Sequence, residues 1–175
     1  FLIGAFMANS NGAGAGAEIV FGVIVGTGTG GGVVVRRQVL TGANAVAGEW
    51  GHNPLPWVTP DEWPGAACYC GRSGCIETVL SGPGMARDHA EATGESVSSE
   101  VVVAGAAAGD AAAEATLRRY EHRMARSLAS VINLLDPDVI VLGGGLSKLE
   151  RLYVNVPALW GRWVFSDRVD TRLGP

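Results

Sequence analysis

All three cysteines of this 175-residue chain fall between positions 68 and 75, as Cys68, Cys70 and Cys75, and the nearest histidine is His52. Three thiolates and one imidazole complete the tetrahedral shell of a structural zinc ion and leave no open position. Gly71 and Gly74 lie between the last two cysteines, where glycine's access to left-handed backbone lets Cys70 and Cys75 turn toward one ion. A disulfide or three inert buried thiols are the competing readings. The odd cysteine count argues against a disulfide framework, and clustering with a histidine favours metal. The same stretch, Ala47 to Ser81, also carries Glu49, Glu62 and Glu77. Glu49 and His52 sit three apart and can share one face of a turn. A carboxylate beside an imidazole suits a polyol, because the pair accepts and donates hydrogen bonds to neighbouring hydroxyls. Glu62 lies in a proline-rich loop and reads as a solvated charge.

Those groups need elements to hold them. Residues 19–25, IVFGVIV, form the continuous β-branched run of a strand buried on both faces. Gly26, Thr27, Gly28, Thr29, Gly30, Gly31 and Gly32 follow, and then a second run from Val33 to Val35. Strand, glycine loop and strand make a hairpin whose amides can approach phosphate oxygens, with the Thr27 and Thr29 hydroxyls as further donors. No helix follows at once, which excludes a Walker loop or a dinucleotide fingerprint, and a flexible hairpin turn is the plainer alternative. Arg36 and Arg37 turn the chain into a short strand, Gln38 to Leu40, and read as solvated. Pro54 to Pro64 is extended loop, and its Trp57 and Trp63 cover the cysteine loop or a subunit contact, with stacking on a sugar as the sharper alternative.

Further along, Thr78 to Thr93 reads as helical, with Pro83 in a first turn. His89, among Arg87, Asp88 and Glu91, reads as an exposed helical histidine. The alanine-rich run Val101 to Ala115 is helical, with Asp110 placed to start the long helix that follows. There Leu117, Tyr120, Met124, Leu128, Val131 and Leu135 recur at spacings of three and four and make one apolar stripe. Arg118, Arg119, Glu121, His122, Arg123 and Arg126 fill the other faces and read as solvated. Pro137 ends the helix, Val139 to Leu142 is a buried strand, and Gly143, Gly144 and Gly145 lead to a helix from Leu146. Such elements build an α/β layer, whose ligands gather beyond the carboxyl ends of the strands.

Composition sets the limits. Apolar residues make up 47% of the chain, the formal charge is -4, and glycine numbers 26, about twice the usual ~7%. That profile is a globular domain with backbone close to a ligand, and it gives no support for nucleic-acid binding. Neither a secretory signal nor the about 20 apolar residues of a membrane helix is present, so the expectation is a cytoplasmic protein with no membrane partner. The chain begins at Phe1 rather than Met and reads as an interior fragment.

The segments GEWGHNPLPW, CYCGRSGCIETVLSG, Asp136-Pro137-Asp138 and Gly143-Gly144-Gly145 together resemble the ROK family of sugar kinases and sugar-responsive repressors, and look most like its bacterial fructokinase branch. The resemblance covers most of the chain from about Gly12; residues 1–11 depart from it. It implies the C-terminal, larger domain of an α/β kinase of the actin and hexokinase type, with a ribonuclease H-like core, truncated at both ends. Residues 1–175 would form that single domain, with a zinc loop inserted at 52–75 and the N-terminal domain absent. In the resembling kinases the residues matching Glu49, His52 and Glu77 contact the sugar. His52, Cys68, Cys70 and Cys75 match the zinc ligands, so the histidine serves both. The residues matching Gly26 to Gly32 and Val33 meet ATP phosphates, and those matching Gly143 to Gly145 lie against the adenosine. The catalytic aspartate would fall at or before Phe1, so this chain alone is expected to be inactive. The implied reaction transfers the γ-phosphoryl group of ATP, with magnesium, to a hexose: fructose first, with glucose, mannose or N-acetylglucosamine as alternatives. A homodimer is implied for the full-length protein. The rival classes are the sugar sensor of a ROK repressor and a bare zinc-stabilised interaction module.

Overall fold

The structure, a computed structural model, describes residues 12–175. The expected aspartate and the divergent stretch 1–11 lie outside the described residues. One mixed sheet contains β1 (Ile19–Val25), β2 (Thr29–Val35), β3 (Gln38–Val39), β4 (Val139–Gly143) and β5 (Arg172–Gly174), in the order β3-β2-β1-β4-β5. The first three strands pair antiparallel, whereas β4 lies parallel to β1 and β5 parallel to β4. Arg36 and Arg37 take up left-handed backbone, at φ 50° and 67°, to make the tight β2–β3 turn. Both stay exposed, as the sequence implied.

Five α-helices accompany the sheet among the described residues: α1 (Glu77–Leu80), α2 (Gly82–Thr93), α3 (Ser99–Ala107), α4 (Ala111–Leu135) and α5 (Leu152–Trp160). The run expected as one helix from Thr78 is two, because Ser81 leaves helical backbone at ψ 162° and its hydroxyl accepts from the Gly84 amide at 3.1 Å, capping α2. The alanine-rich run also divides. Asp110 then caps α4 as expected, accepting from the Ala112 and Ala113 amides at 2.8 and 2.9 Å. Leu146 falls in a 3-10 turn, Gly145–Lys148, and helix resumes only at Leu152. No helix among the described residues is long and apolar enough to cross a membrane.

The stripe on α4 is the core. Leu117, Tyr120, Met124 and Leu128 are buried with Phe21, Val23 and Ile140 of the sheet, each such side chain contributing roughly 1.5–3 kcal/mol when fully buried. Val20, Val34 and Val139 form a smaller cluster on the opposite sheet face, so β1 is covered on both sides as its continuous apolar run required.

The charged face of α4 corrects two expectations. Arg126 is 1% exposed and Glu121 3%, so these two are buried, whereas Arg118 is solvated as expected. Nor is Glu62 a solvated charge: its carboxylate receives Arg123 at 2.9 Å and Arg126 at 2.6 Å, and Arg123 also reaches Asp88 of α2 at 2.6 Å. The proline-rich loop folds back over α4, and the ion pairs form where it lands; Arg126 also donates to the Trp57 carbonyl. Burial would raise the Glu62 pKa, but Arg126, the Thr59 amide and Arg123 together bring it down to about 2. His89 is likewise buried rather than exposed, its Nδ1 3.0 Å from the Thr116 hydroxyl where α2 packs on α4.

Candidate functional site

The chain from Gly51 to Leu55 runs antiparallel to Gly74–Glu77. The Leu55, Ile76 and Glu77 amides donate to the carbonyls of Gly74, Asn53 and Gly51 at 2.9, 2.9 and 2.8 Å. This ladder sets His52 beside Cys75. The connecting loop folds back through Gly71 and Gly74, at φ 86° and 70°, the left-handed positions that glycine takes without strain. The Cys68 amide donates to Arg72 O at 2.7 Å.

The four candidate ligand atoms of His52, Cys68, Cys70 and Cys75 consequently lie within 4.8 Å of one another. His52 Nδ1 is 3.5 Å from Cys68 Sγ, and Cys70 Sγ is 3.6 Å from Cys75 Sγ. Tetrahedral zinc with bonds of about 2.0–2.3 Å holds its ligand atoms roughly 3.5–3.8 Å apart, so the donor set and its spacing fit that ion. The thiols are free of disulfides. Burial, then its neighbours Cys70 and Cys68, pushes the Cys75 thiol up to about 12, while the Arg72 amide holds Cys70 below its ordinary value. A metal entering here therefore has to release the Cys75 proton.

With Nδ1 turned to the cysteines, the other nitrogen of His52 points away from them. Its Nε2 is 2.9 Å from the Tyr69 hydroxyl, and the two rings meet edge to face at 5.0 Å. The charge of Glu77, with smaller contributions from Cys68 and Glu49, pushes the Tyr69 phenol above its ordinary value, so this hydroxyl lies in the field of both expected sugar carboxylates. Sequence reasoning missed Tyr69. Its one signal was its place between two candidate metal ligands on a short loop. Glu77 has a second attachment: Oε2 accepts the Thr29 amide at 3.0 Å, which ties α1 to β2.

The first glycine loop is shorter than the sequence implied. Gly26, Thr27 and Gly28 turn the chain, whereas Thr29, Gly30, Gly31, Gly32 and Val33 are paired in β2 with β1, and the Val33 side chain belongs to the core. Close packing explains two of the strand glycines, Gly31 and Gly32, while Gly30 borders open space. A Cβ on Gly31 would lie 2.7 Å from Gly48 O, one on Gly48 2.6 Å from Gly32 Cα, and one on Gly51 1.9 Å from Thr29 O. Backbone thus meets backbone along a seam between β2 and the metal segment. Because β1 and β4 are parallel, their carboxyl ends bring both glycine loops together, and the site of a Cβ on Gly26 is 3.9 Å from Gly145 N. Gly144 takes φ 90° against Val25. The amide of Gly82, at the start of α2, donates to Gly26 O at 2.7 Å. Two glycine loops meet beside a helix N-terminus, a setting suited to phosphate, with the Gly26 and Gly82 amides already bonded to Gly28 O and Gly26 O.

Residues 4–172 match the model of the ROK family. The chain belongs to the ROK family. Its relatives include the N-acetyl-D-glucosamine kinases of Photobacterium profundum, 40% identical over 81% of this chain and 48% of the relative, and of Vibrio vulnificus, 36% identical over 86% and 51%. The ROK hexokinase of Thermus thermophilus superposes with a TM-score of 0.83 at 31% identity, over 98% of this chain and 56% of that one. A ROK family transcriptional regulator, a homologue of the E. coli MLC protein, gives 0.77 at 27%, over 98% and 45%. The architecture is the actin and hexokinase-like α/β fold with its mixed sheet. This ROK chain spans about half the length of the curated relatives it matches.

Proposed function

We propose that this ROK chain is the sugar-holding and nucleotide-cradling domain of an ATP-dependent hexose kinase, cytoplasmic and homodimeric in its full-length form. The observation that carries this reading is the junction at Glu77, whose carboxylate joins the first glycine loop to the segment bearing Glu49 and His52. A phosphate cradle and a polyol cluster built back to back suit phosphoryl transfer to a sugar hydroxyl, which depends on positioning and charge neutralisation. Glu49, His52 and Glu77 would orient the hexose. The amides of Thr27 and Gly28 and of Gly143 to Gly145 would receive the nucleotide, and magnesium would neutralise its phosphates. Zinc on His52, Cys68, Cys70 and Cys75 would hold the histidine in place and take no part in the chemistry.

Two sugars lead. The Photobacterium and Vibrio relatives act, by name, on N-acetylglucosamine and give no support to fructose, whereas GEWGHNPLPW and CYCG resemble fructokinases. The test is turnover of ATP by the full-length protein with each sugar. Hexose phosphate formation supports the reading, and sugar-responsive DNA binding without ATP turnover would favour the regulator, a second reading kept by the likeness to the MLC homologue.

A further inference from the structure

Tyr69 stands at the one nitrogen of His52 that a substrate can reach. Nδ1 faces Cys68 at 3.5 Å, so Nε2 alone is available to a ligand, and the Tyr69 hydroxyl already occupies it at 2.9 Å. The phenol ring stands edge-on to the imidazole, with interplanar angle 87°. It is 83% exposed, which leaves it held chiefly by that one bond. Cys68 and Cys70 flank it in sequence, so its backbone is fixed by the ligand loop even though its side chain faces outward. A sugar hydroxyl that bonds Nε2 therefore meets the phenol first. A bare hydroxyl needs only the place of the Tyr69 oxygen, or a bond to it. A bulky acylamino group on the neighbouring carbon needs the volume of the ring.

We propose that Tyr69 is a specificity-determining residue that closes the space beside His52, so that the site takes an unsubstituted hexose and rejects a 2-acylamino hexose. This inference rests on the sugar-kinase reading of Glu49, His52 and Glu77. It gives the hydroxyl of Tyr69 and its ring separate roles: the hydroxyl steadies His52 and the incoming sugar, and the ring excludes bulk.

The experiment uses the full-length, zinc-loaded protein and its Tyr69→Phe and Tyr69→Ala variants, with fructose, glucose and N-acetylglucosamine as probes. Binding is read by calorimetry and turnover by ADP release, and zinc content confirms that each variant keeps its loop. The wild type is expected to prefer fructose or glucose. Tyr69→Ala should raise the preference for N-acetylglucosamine over those sugars at least about tenfold, mainly through KM and Kd. Tyr69→Phe should keep the exclusion while weakening hexose binding severalfold. A wild type that prefers N-acetylglucosamine, or a ratio unmoved within about twofold in Tyr69→Ala, overturns the inference and leaves the kinase reading intact. Absence of binding and turnover for all three sugars in the wild type overturns both.

Discussion

Glu77 carries two duties that pull on the same carboxylate. One oxygen holds the Thr29 amide at 3.0 Å, and the same charge raises the Tyr69 phenol above its ordinary value in the proposed sugar site. A charge-assisted hydrogen bond is worth about 1.5–3 kcal/mol against roughly 1 for a neutral one. Glu77→Gln is therefore expected to raise the hexose KM about tenfold in the full-length protein while leaving zinc content near one per chain. Cys75→Ser should lose the metal as well as weaken hexose binding. It removes a buried ligand, so bound zinc should fall toward zero and the thermal midpoint should drop, as metal analysis and calorimetry would register. The cysteines and His52 were legible because thiolate chemistry and spacing announce themselves in sequence. Tyr69 was not, since nothing in a phenol between two ligands says which nitrogen of a distant histidine it will meet.

At the level of elements, α4 does more than fill the core. Arg123 and Arg126 clamp the proline-rich loop through Glu62, and Asp88 brings α2 into the same network. Removing one member of a buried pair strands the other, at about 3–5 kcal/mol. Arg126→Ala should destabilise the fold by that order, measured by denaturant unfolding. The Glu62 pKa falls from 4.5 to about 2 on folding. The stability it contributes is thus fully present above about pH 4.5 and is lost as pH falls toward 2. Glu62→Gln should flatten that part of the stability profile. The seam between β2 and the metal segment predicts that Gly51→Ala, whose Cβ would meet Thr29 O at 1.9 Å, weakens hexose and nucleotide binding together. Strands, the α4 stripe and the Asp110 cap could be read from periodicity and capping chemistry. The Glu62 clamp could not, because its partners lie 61 and 64 residues away and no local pattern encodes that contact. Nor could the short loop, since a run of glycines does not reveal which are needed to turn and which to let backbones touch.

For the whole molecule, parallel pairing of β1 with β4 sets both glycine loops at the carboxyl ends of these central strands, and the ladder between Gly51–Leu55 and Gly74–Glu77 hangs the cysteine cluster beside them. The candidate metal cluster, the proposed sugar carboxylates and the proposed phosphate loops thus adjoin one another, and on this reading zinc removal should be felt by the sugar. The decisive measurement is a hexose titration of the full-length protein, with metal content determined before and after chelation. One zinc per chain, with hexose affinity reduced at least about tenfold when it is removed and restored on its return, is the predicted result. Absence of zinc in the folded protein, or hexose binding indifferent to its removal, would contradict the account.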